Sequence, residues 1–194
     1  MKMYMYLVRH GETEWNRIGL VQGRADNPLN ETGIKQAKDS AEVFRGKSFE
    51  ALITSPLIRT KQTAKYLCAY TLVKEVRVDD RVIEKDFGIC EGQTIKTRWS
   101  MYPKGHAQGE ESFMIVRKRM KEAVEEYVET YHDDILIVTH GCAIAALVKE
   151  LDPYYDKQFV RLQNTSITII DDALHVVALD LSLEEAKAWM KQQE

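Results

Sequence analysis

The chain has few cysteines. Cys68, Cys90 and Cys142 are the only three among 194 residues, and they lie far apart. No CxxC pair exists, so neither a zinc knuckle nor a dithiol motif is encoded, and reduced thiols in the cytoplasm are expected. Long apolar runs are missing too: none approaches the ~20 residues that span a bilayer. The opening stretch, Met1 to Val8, is too short for a signal peptide and has no small-residue cleavage site. Basic charge is not in excess. The net charge of −3 offers no field for nucleic acid or an anionic membrane. An anionic substrate would therefore need a local cluster of Arg and His. With four prolines and no repeat, linker or low-complexity tract, one domain over residues 1–194 is expected. A chain this long buries roughly 70% of its unfolded surface, so its core needs no staples. The five histidines, His10, His106, His132, His140 and His175, contain no HExxH or HxH pair, so no metal site and no cofactor are expected.

What is present is an alternation of short apolar strands and helical periods. Tyr4 to Val8 reads as a buried strand that runs into Arg9-His10-Gly11. Asn30 can cap a helix with Ile34, Ala37, Ala41 and Phe44 on one face. Ala51 to Ser55 is a short strand stopped by Pro56, and a helix follows from Ile58 to Ala69. Val76 to Val82 alternates like a strand. Phe113, Val116, Met120, Ala123, Tyr127 and Tyr131 recur at helical spacing. Ile135 to Val138 is a second buried strand; it runs into Thr139-His140-Gly141, and Cys142 to Val148 reads as a helix. Ser166 to Ile170 and Leu174 to Leu179 suggest a hairpin around Asp171-Asp172, and Leu183 to Met190 a closing helix. Residues 87–110 have no clean period and contain Gly88, Gly92, Pro103, Gly105 and Gly109, so they read as a small loop-rich cap inserted in the domain. The pattern predicts a three-layer α/β domain with a mainly parallel central sheet flanked by helices. Ligands in such sheets bind beyond the carboxyl ends of the strands.

Two buried strands end in the same dipeptide, His-Gly. A neutral imidazole is a good nucleophile toward phosphorus when its other ring nitrogen is held as N–H. Arg9 offers a planar fork that matches phosphate oxygens, and Gly11 lets backbone approach closely. A single Arg-His-Gly is ordinarily a core histidine beside a surface arginine; the repeat at His140-Gly141 argues against that. The helix after His140 would turn its N-terminal N–H groups, starting at Gly141, toward an anion. Arg59, on the first turn after Ser55-Pro56, would reach the same edge. Transfer from an alkoxide leaving group also needs a proton donor. A carboxyl with a pKa raised by burial or by a nearby phosphate could supply it. Spacing does not choose among Glu84, Asp86 and Glu91, and Glu84 could instead merely pair with Lys85 or Arg81. His132 and His175 sit in polar, exposed-looking surroundings.

Leu7-Val8-Arg9-His10-Gly11-Glu12-Thr13-Glu14-Trp15-Asn16 resembles the signature of the histidine phosphatase superfamily, phosphoglycerate mutase-like branch. Gln22 to Leu29, Ser55 to Ala64, Glu84-Lys85-Asp86-Phe87-Gly88 with Glu91-Gly92, Val138 to Gly141 and Asn164 to Thr168 match its later blocks in order. The resemblance implies a phosphatase acting on small phosphorylated metabolites through a phosphohistidine on His10. Arg9, Arg59 and His140 would form the cationic pocket. Asn16, Gln22, Gly23 and Gly141 would contact the substrate. It selects Glu84 as the group that protonates the leaving group and then activates water. One departure is Cys90, where family members commonly carry Trp, which is expected to alter the pocket rim. Mutases of the family carry a longer basic insertion after the acid, with paired arginines for a carboxylate. Here Gln93 to Gly109 holds Lys96, Arg98, Lys104 and His106 but no Arg-Arg pair, which favours a phosphatase over a mutase. An inactive phospholigand-binding module would be expected to have lost His10, Glu84 or His140, and all three are present.

Overall fold

The computed structural model describes residues 2–103, 106–152 and 162–193. Lys104 and Gly105 of the expected cap lie outside the described residues. Strand β1 (Tyr4–Arg9) is followed by a one-turn helix α1 (Glu14–Arg17), helix α2 (Glu31–Val43), strand β2 (Ser48–Thr54), helix α3 (Ile58–Tyr70) and strand β3 (Leu72–Val78). Helices α4 (Ile95–Met101) and α5 (Phe113–Thr130), strand β4 (Ile135–Thr139) and helix α6 (Gly141–Leu151) come next. Strands β5 (Ile167–Asp171) and β6 (Val176–Leu181) and helix α7 (Leu183–Lys191) close the chain.

The six strands form one sheet in the order β3-β2-β4-β1-β5-β6. The β3–β2, β2–β4 and β4–β1 pairings are parallel, and β5 and β6 add an antiparallel edge. Side chains alternate across this sheet, as period-2 geometry requires. From β1, Met5 and Leu7 enter a core completed by α5 and α6. Tyr6 and Val8 enter a second core completed by α2, α3 and α7. Both faces are thus covered, which explains why β1 and β4 read as continuous apolar runs. Each fully buried Leu, Ile or Val there contributes roughly 1.5–3 kcal/mol. Among the described residues no helix is long and apolar enough to cross a membrane.

Most elements lie where the pattern puts them, and Asn30 caps α2 by accepting the Gly33 N–H at 2.8 Å. Three differ. The strand expected at Val76 to Val82 is β3, Leu72–Val78, followed by a 3-10 turn over Asp80–Val82. The carboxylate of Asp79 accepts the Arg81 N–H at 2.9 Å and turns the chain. β3 is an edge strand with a largely exposed face, so its alternation does not mark a core. The segment 87–110 contains a real helix, α4, capped by Thr94 through the Thr97 N–H at 3.0 Å. Its apolar residues Ile95 and Trp99 line a cavity rather than the main core, so no core-facing period shows in the sequence. Helix α1 is created by a reciprocal capping box between Thr13 and Asn16 and carries no buried residue.

Candidate active site

The register of the parallel strands builds the site. Arg9 pairs with Thr139 across β1 and β4, and Thr54 pairs with Val138 across β2 and β4. The next residues, His10, His140 and Ser55, therefore emerge side by side at the carboxyl edge of the sheet. The His10 N–H donates to the Thr139 carbonyl at 3.0 Å and the Ser55 N–H to the Val138 carbonyl at 3.1 Å, which locks the three corners together.

His10 has its tautomer fixed by its surroundings. Nδ1 lies 2.7 Å from its neighbour's carbonyl, that of Gly11. A carbonyl only accepts, so Nδ1 carries the proton and Nε2 keeps its lone pair. Asn164 Nδ2 donates to the His10 carbonyl at 2.9 Å. Burial holds the imidazole pKa well below its ordinary value, aided by the charges of Arg59 and Arg9. Gly11 is required here. A Cβ on it would stand 2.5 Å from the carbonyl oxygen of Gly33 in the first turn of α2, so the close approach expected of this glycine is to backbone.

His140 is fully buried, with its Nε2 2.7 Å from Ser55 Oγ. Its Nδ1 is buried without a hydrogen-bond partner, as is Nε of Arg59. Burial also lowers the His140 pKa, with Arg59 contributing next. Arg59 is fully buried as well. Its Nη1 donates to the Ala25 carbonyl at 2.8 Å and its Nη2 to the Gly23 carbonyl at 2.6 Å. Burial brings its pKa down to about 10, against the opposing pull of Glu84. Gly23 thus serves as a carbonyl for Arg59, and a Cβ there would meet the Lys85 carbonyl at 2.5 Å.

Glu84 has neither of the surface roles open to it. Its neighbour Lys85 pairs with Glu110, and Arg81 pairs with Asp79 and Glu126. Its Oε1 instead accepts the Lys85 and Ala143 N–H groups at 2.9 and 3.0 Å, and its Oε2 the Cys142 N–H at 3.2 Å. The first N–H groups of α6 are therefore engaged by this carboxyl group. Burial raises its pKa, while the N–H of Lys85 and the charge of Arg59 resist. The two competing acids are engaged elsewhere. Asp86 accepts the Gly88 N–H at 2.8 Å, and Glu91 accepts the Arg24 and Ala25 N–H groups, each at 2.7 Å.

Arg9, His10, Asn16, Gln22, Glu84 and Gly141 line one cavity of about 790 Å³. Arg59, His140 and Gly23 are not part of its lining. Arg9 reaches across to donate through Nη1 to the Leu162 carbonyl. The carboxamide oxygen of Gln22 is taken by Thr13 at 2.8 Å and Asn27 at 3.2 Å, which leaves its amide nitrogen to donate. Cys90 is not itself part of the lining: it is buried in the 3-10 turn Gly88–Cys90 and packs with Val21, which does line the cavity, and with Ala107. Ser55 and Asn164 stood inside matched blocks, yet their partnerships with His140 and His10 needed the strand order to be seen. Among the described residues no three His, Cys, Asp or Glu side chains are grouped to hold a metal ion.

The family profile of the histidine phosphatase superfamily (branch 1) matches residues 5–179. The chain belongs to this superfamily. It is 36% identical over 171 residues to a Bacillus subtilis protein described as the uncharacterized phosphatase PhoE, covering 86% of this chain and 87% of that one. It is 34% identical over 183 residues to the probable phosphoglycerate mutase GpmB of Proteus mirabilis, covering 87% and 85%. The solved structure of YhfR from Bacillus stearothermophilus superposes with a TM-score of 0.82 at 29% identity, covering 93% of this chain and 98% of that one. The chain is thus an enzyme of the histidine phosphatase and phosphoglycerate mutase-like kind, and its relatives carry both names.

Proposed function

We propose that the protein is a metal-independent cytoplasmic phosphatase that hydrolyses small phosphomonoesters through a phosphohistidine on His10. The observation that carries this reading is the commitment of His10 Nδ1 to the Gly11 carbonyl at 2.7 Å, which leaves Nε2 as a neutral nucleophile at the cavity. Nε2 attacks phosphorus, the P–O bond to the alcohol breaks, and Glu84 gives its proton to the departing oxygen. Glu84, now a carboxylate, takes a proton from water. The water oxygen attacks phosphorus, the P–N bond breaks, and His10 returns to its neutral form. Arg9, Arg59 and His140 supply the positive and hydrogen-bonding field that charge developing on the phosphoryl oxygens requires. The buried, unpartnered Nδ1 of His140 and Nε of Arg59 are the polar atoms such an anion would satisfy. Asn16 and Gln22 donate to it from the cavity wall, and residues 87–110 act as the cap of a single domain.

A mutase would share every step up to the phosphohistidine and differ only in handing the phosphoryl group to a second hydroxyl instead of water. The experiment that tests the common step is trapping. Brief reaction with substrate and acid-free denaturation should leave phosphate on His10, labile to acid and stable to base. Phosphate on a serine or aspartate, or full activity in His10→Ala, would overturn the mechanism.

A further inference from the structure

The cavity around His10 is larger than a phosphoryl group needs, and one stretch of its wall is apolar. Ile95 and Trp99, one turn apart on α4, line it together with Phe113 and Met114 at the start of α5 and with Leu20. Three of these are unusually open for their type: Ile95 is 40% exposed, Trp99 43% and Met114 77%. Apolar side chains left open within one concavity mark the place of an apolar ligand group.

Among the described residues the ionisable lining holds Arg9, Lys85 and Arg98 beside Glu84, Glu110 and Glu111. Lys85 and Arg98 are the cations a carboxylate or second phosphate on a substrate would seek, and Glu110 already holds both. Its Oε1 takes Lys85 Nζ and, at 2.6 Å, Arg98 Nη2, while its Oε2 accepts the Ala107 N–H at 3.0 Å. The three side chains are 7%, 6% and 3% exposed for Lys85, Arg98 and Glu110. Burial works against the Glu110 carboxylate, yet these partners hold its pKa at about 2. Prying the trio apart would strand a buried charge, which is strongly unfavourable. Glu111 is likewise occupied, by Arg119 at 2.9 Å and Arg24 at 3.5 Å.

We propose that the preferred substrates are phosphomonoesters of uncharged, apolar alcohols, whose alkyl or aryl group fills the chamber between α4 and the start of α5, while Glu110 withholds Lys85 and Arg98 from any second anion. This inference rests on the phosphatase reading above. The test compares phosphate release from ethyl, butyl and octyl phosphate, from 3-phosphoglycerate and from p-nitrophenyl phosphate. kcat/KM should rise with alkyl length, by up to about fourfold for each methylene that is fully buried. 3-Phosphoglycerate should fall below octyl phosphate. Trp99→Ala should cut the octyl-to-ethyl ratio by about fivefold, the effect of exposing one to two methylenes. Glu110→Gln should raise 3-phosphoglycerate relative to octyl phosphate by about tenfold. Met114→Lys places a new cation on an exposed wall position and should act in the same direction even if Glu110→Gln fails to fold. A flat alkyl series, or a preference of the unaltered protein for 3-phosphoglycerate, overturns the proposed substrate class alone when p-nitrophenyl phosphate is still hydrolysed. Release from none of the esters overturns the phosphatase reading along with it.

Discussion

The rings of His10 and His140 stand edge to face, with centroids 5.2 Å apart and planes at 62°. Both are buried, and burial lowers both pKa values well below the ordinary imidazole range. Two neutral rings thus sit beside the buried Arg59 and the half-buried Arg9, so the positive charge of the site rests on the guanidiniums and the lone pairs on the imidazoles. This division of labour follows from the strand order, which makes β1 and β4 neighbours.

Glu84 provides the sharpest test of that chemistry. Glu84→Gln should cripple hydrolysis of alkyl phosphates by ~10²–10⁴-fold yet spare phosphohistidine formation from p-nitrophenyl phosphate, whose leaving group needs no proton. Phosphoenzyme should then accumulate, because no base activates water. Equal loss on both esters would reassign Glu84 to a structural or ground-state binding role.

The pH profile follows from the same shifts. Glu84 keeps its proton above the ordinary carboxylate range because burial raises its pKa. kcat/KM for an alkyl phosphate should fall as pH rises through that raised value, and this alkaline limb should vanish in Glu84→Gln. His10 should impose no acid limb near the ordinary imidazole value of 6.5, since its own pKa lies well below it. An acid limb centred near that value, measured with a buffer series at constant ionic strength, would contradict the assigned protonation states.

Arg59→Lys keeps a charge but cannot span the carbonyls of Gly23 and Ala25 with a fork. Turnover should drop at least about tenfold, on the order of 1.4 kcal/mol of transition-state stabilisation, and thermal melting should show lost stability as well. Unchanged kinetics in the folded variant would remove Arg59 from the phosphate field.

Activity should survive exhaustive chelation, because the proposed mechanism gives Arg9, Arg59 and His140 the role a metal would otherwise have in phosphoryl transfer. Loss in EDTA with recovery on adding zinc or magnesium would show that the positive field comes from elsewhere.

Asp79 controls where Glu84 stands. It receives Arg81 Nη2 at 2.6 Å and the Tyr127 hydroxyl at 2.9 Å, and it starts the turn that leads to Glu84. Burial would raise its pKa, yet the hydrogen bonds from Arg81 and Tyr127 hold it at about 2. A depressed carboxylate contributes stability that is present above the ordinary carboxylate range and lost as pH falls toward 2. Asp79→Ala should cost about 1–3 kcal/mol in urea unfolding at neutral pH, because it strands a buried hydroxyl. The gap to the unaltered protein should narrow under acid. No change in the urea midpoint would mean that the turn holds without it.

Much of this was legible in the residues. The α/β alternation, the two His-Gly corners and the capping Asn30 follow from local pattern. β3 and α4 were less so, because one lies at an exposed sheet edge and the other faces a cavity, and neither shows the period that a core imposes. The placement of the site divides in the same way. His10 and His140 announced themselves by repetition, whereas Glu84 could not be told from Asp86 and Glu91 by spacing. What distinguishes it is the kind of partner: the helix start at Cys142 and Ala143 donates to it, whereas Asp86 accepts the Gly88 N–H and Glu91 those of Arg24 and Ala25 in loops. The trio of Lys85, Arg98 and Glu110 is equally invisible in the sequence, since nothing local says which cation a given acid will silence.

Gly11 and Gly33 touch through backbone. A Cβ on the first would stand 2.5 Å from the second's carbonyl, and a Cβ on the second would stand 2.0 Å from the carbonyl of Glu12. Both positions already hold the smallest residue, so a larger group at one has no compensating reduction available at the other. Most packed pairs can drift, a large residue trading places with a small one over generations. This pair cannot, and a lineage that loses either glycine must rebuild the nucleophile's loop or abandon it.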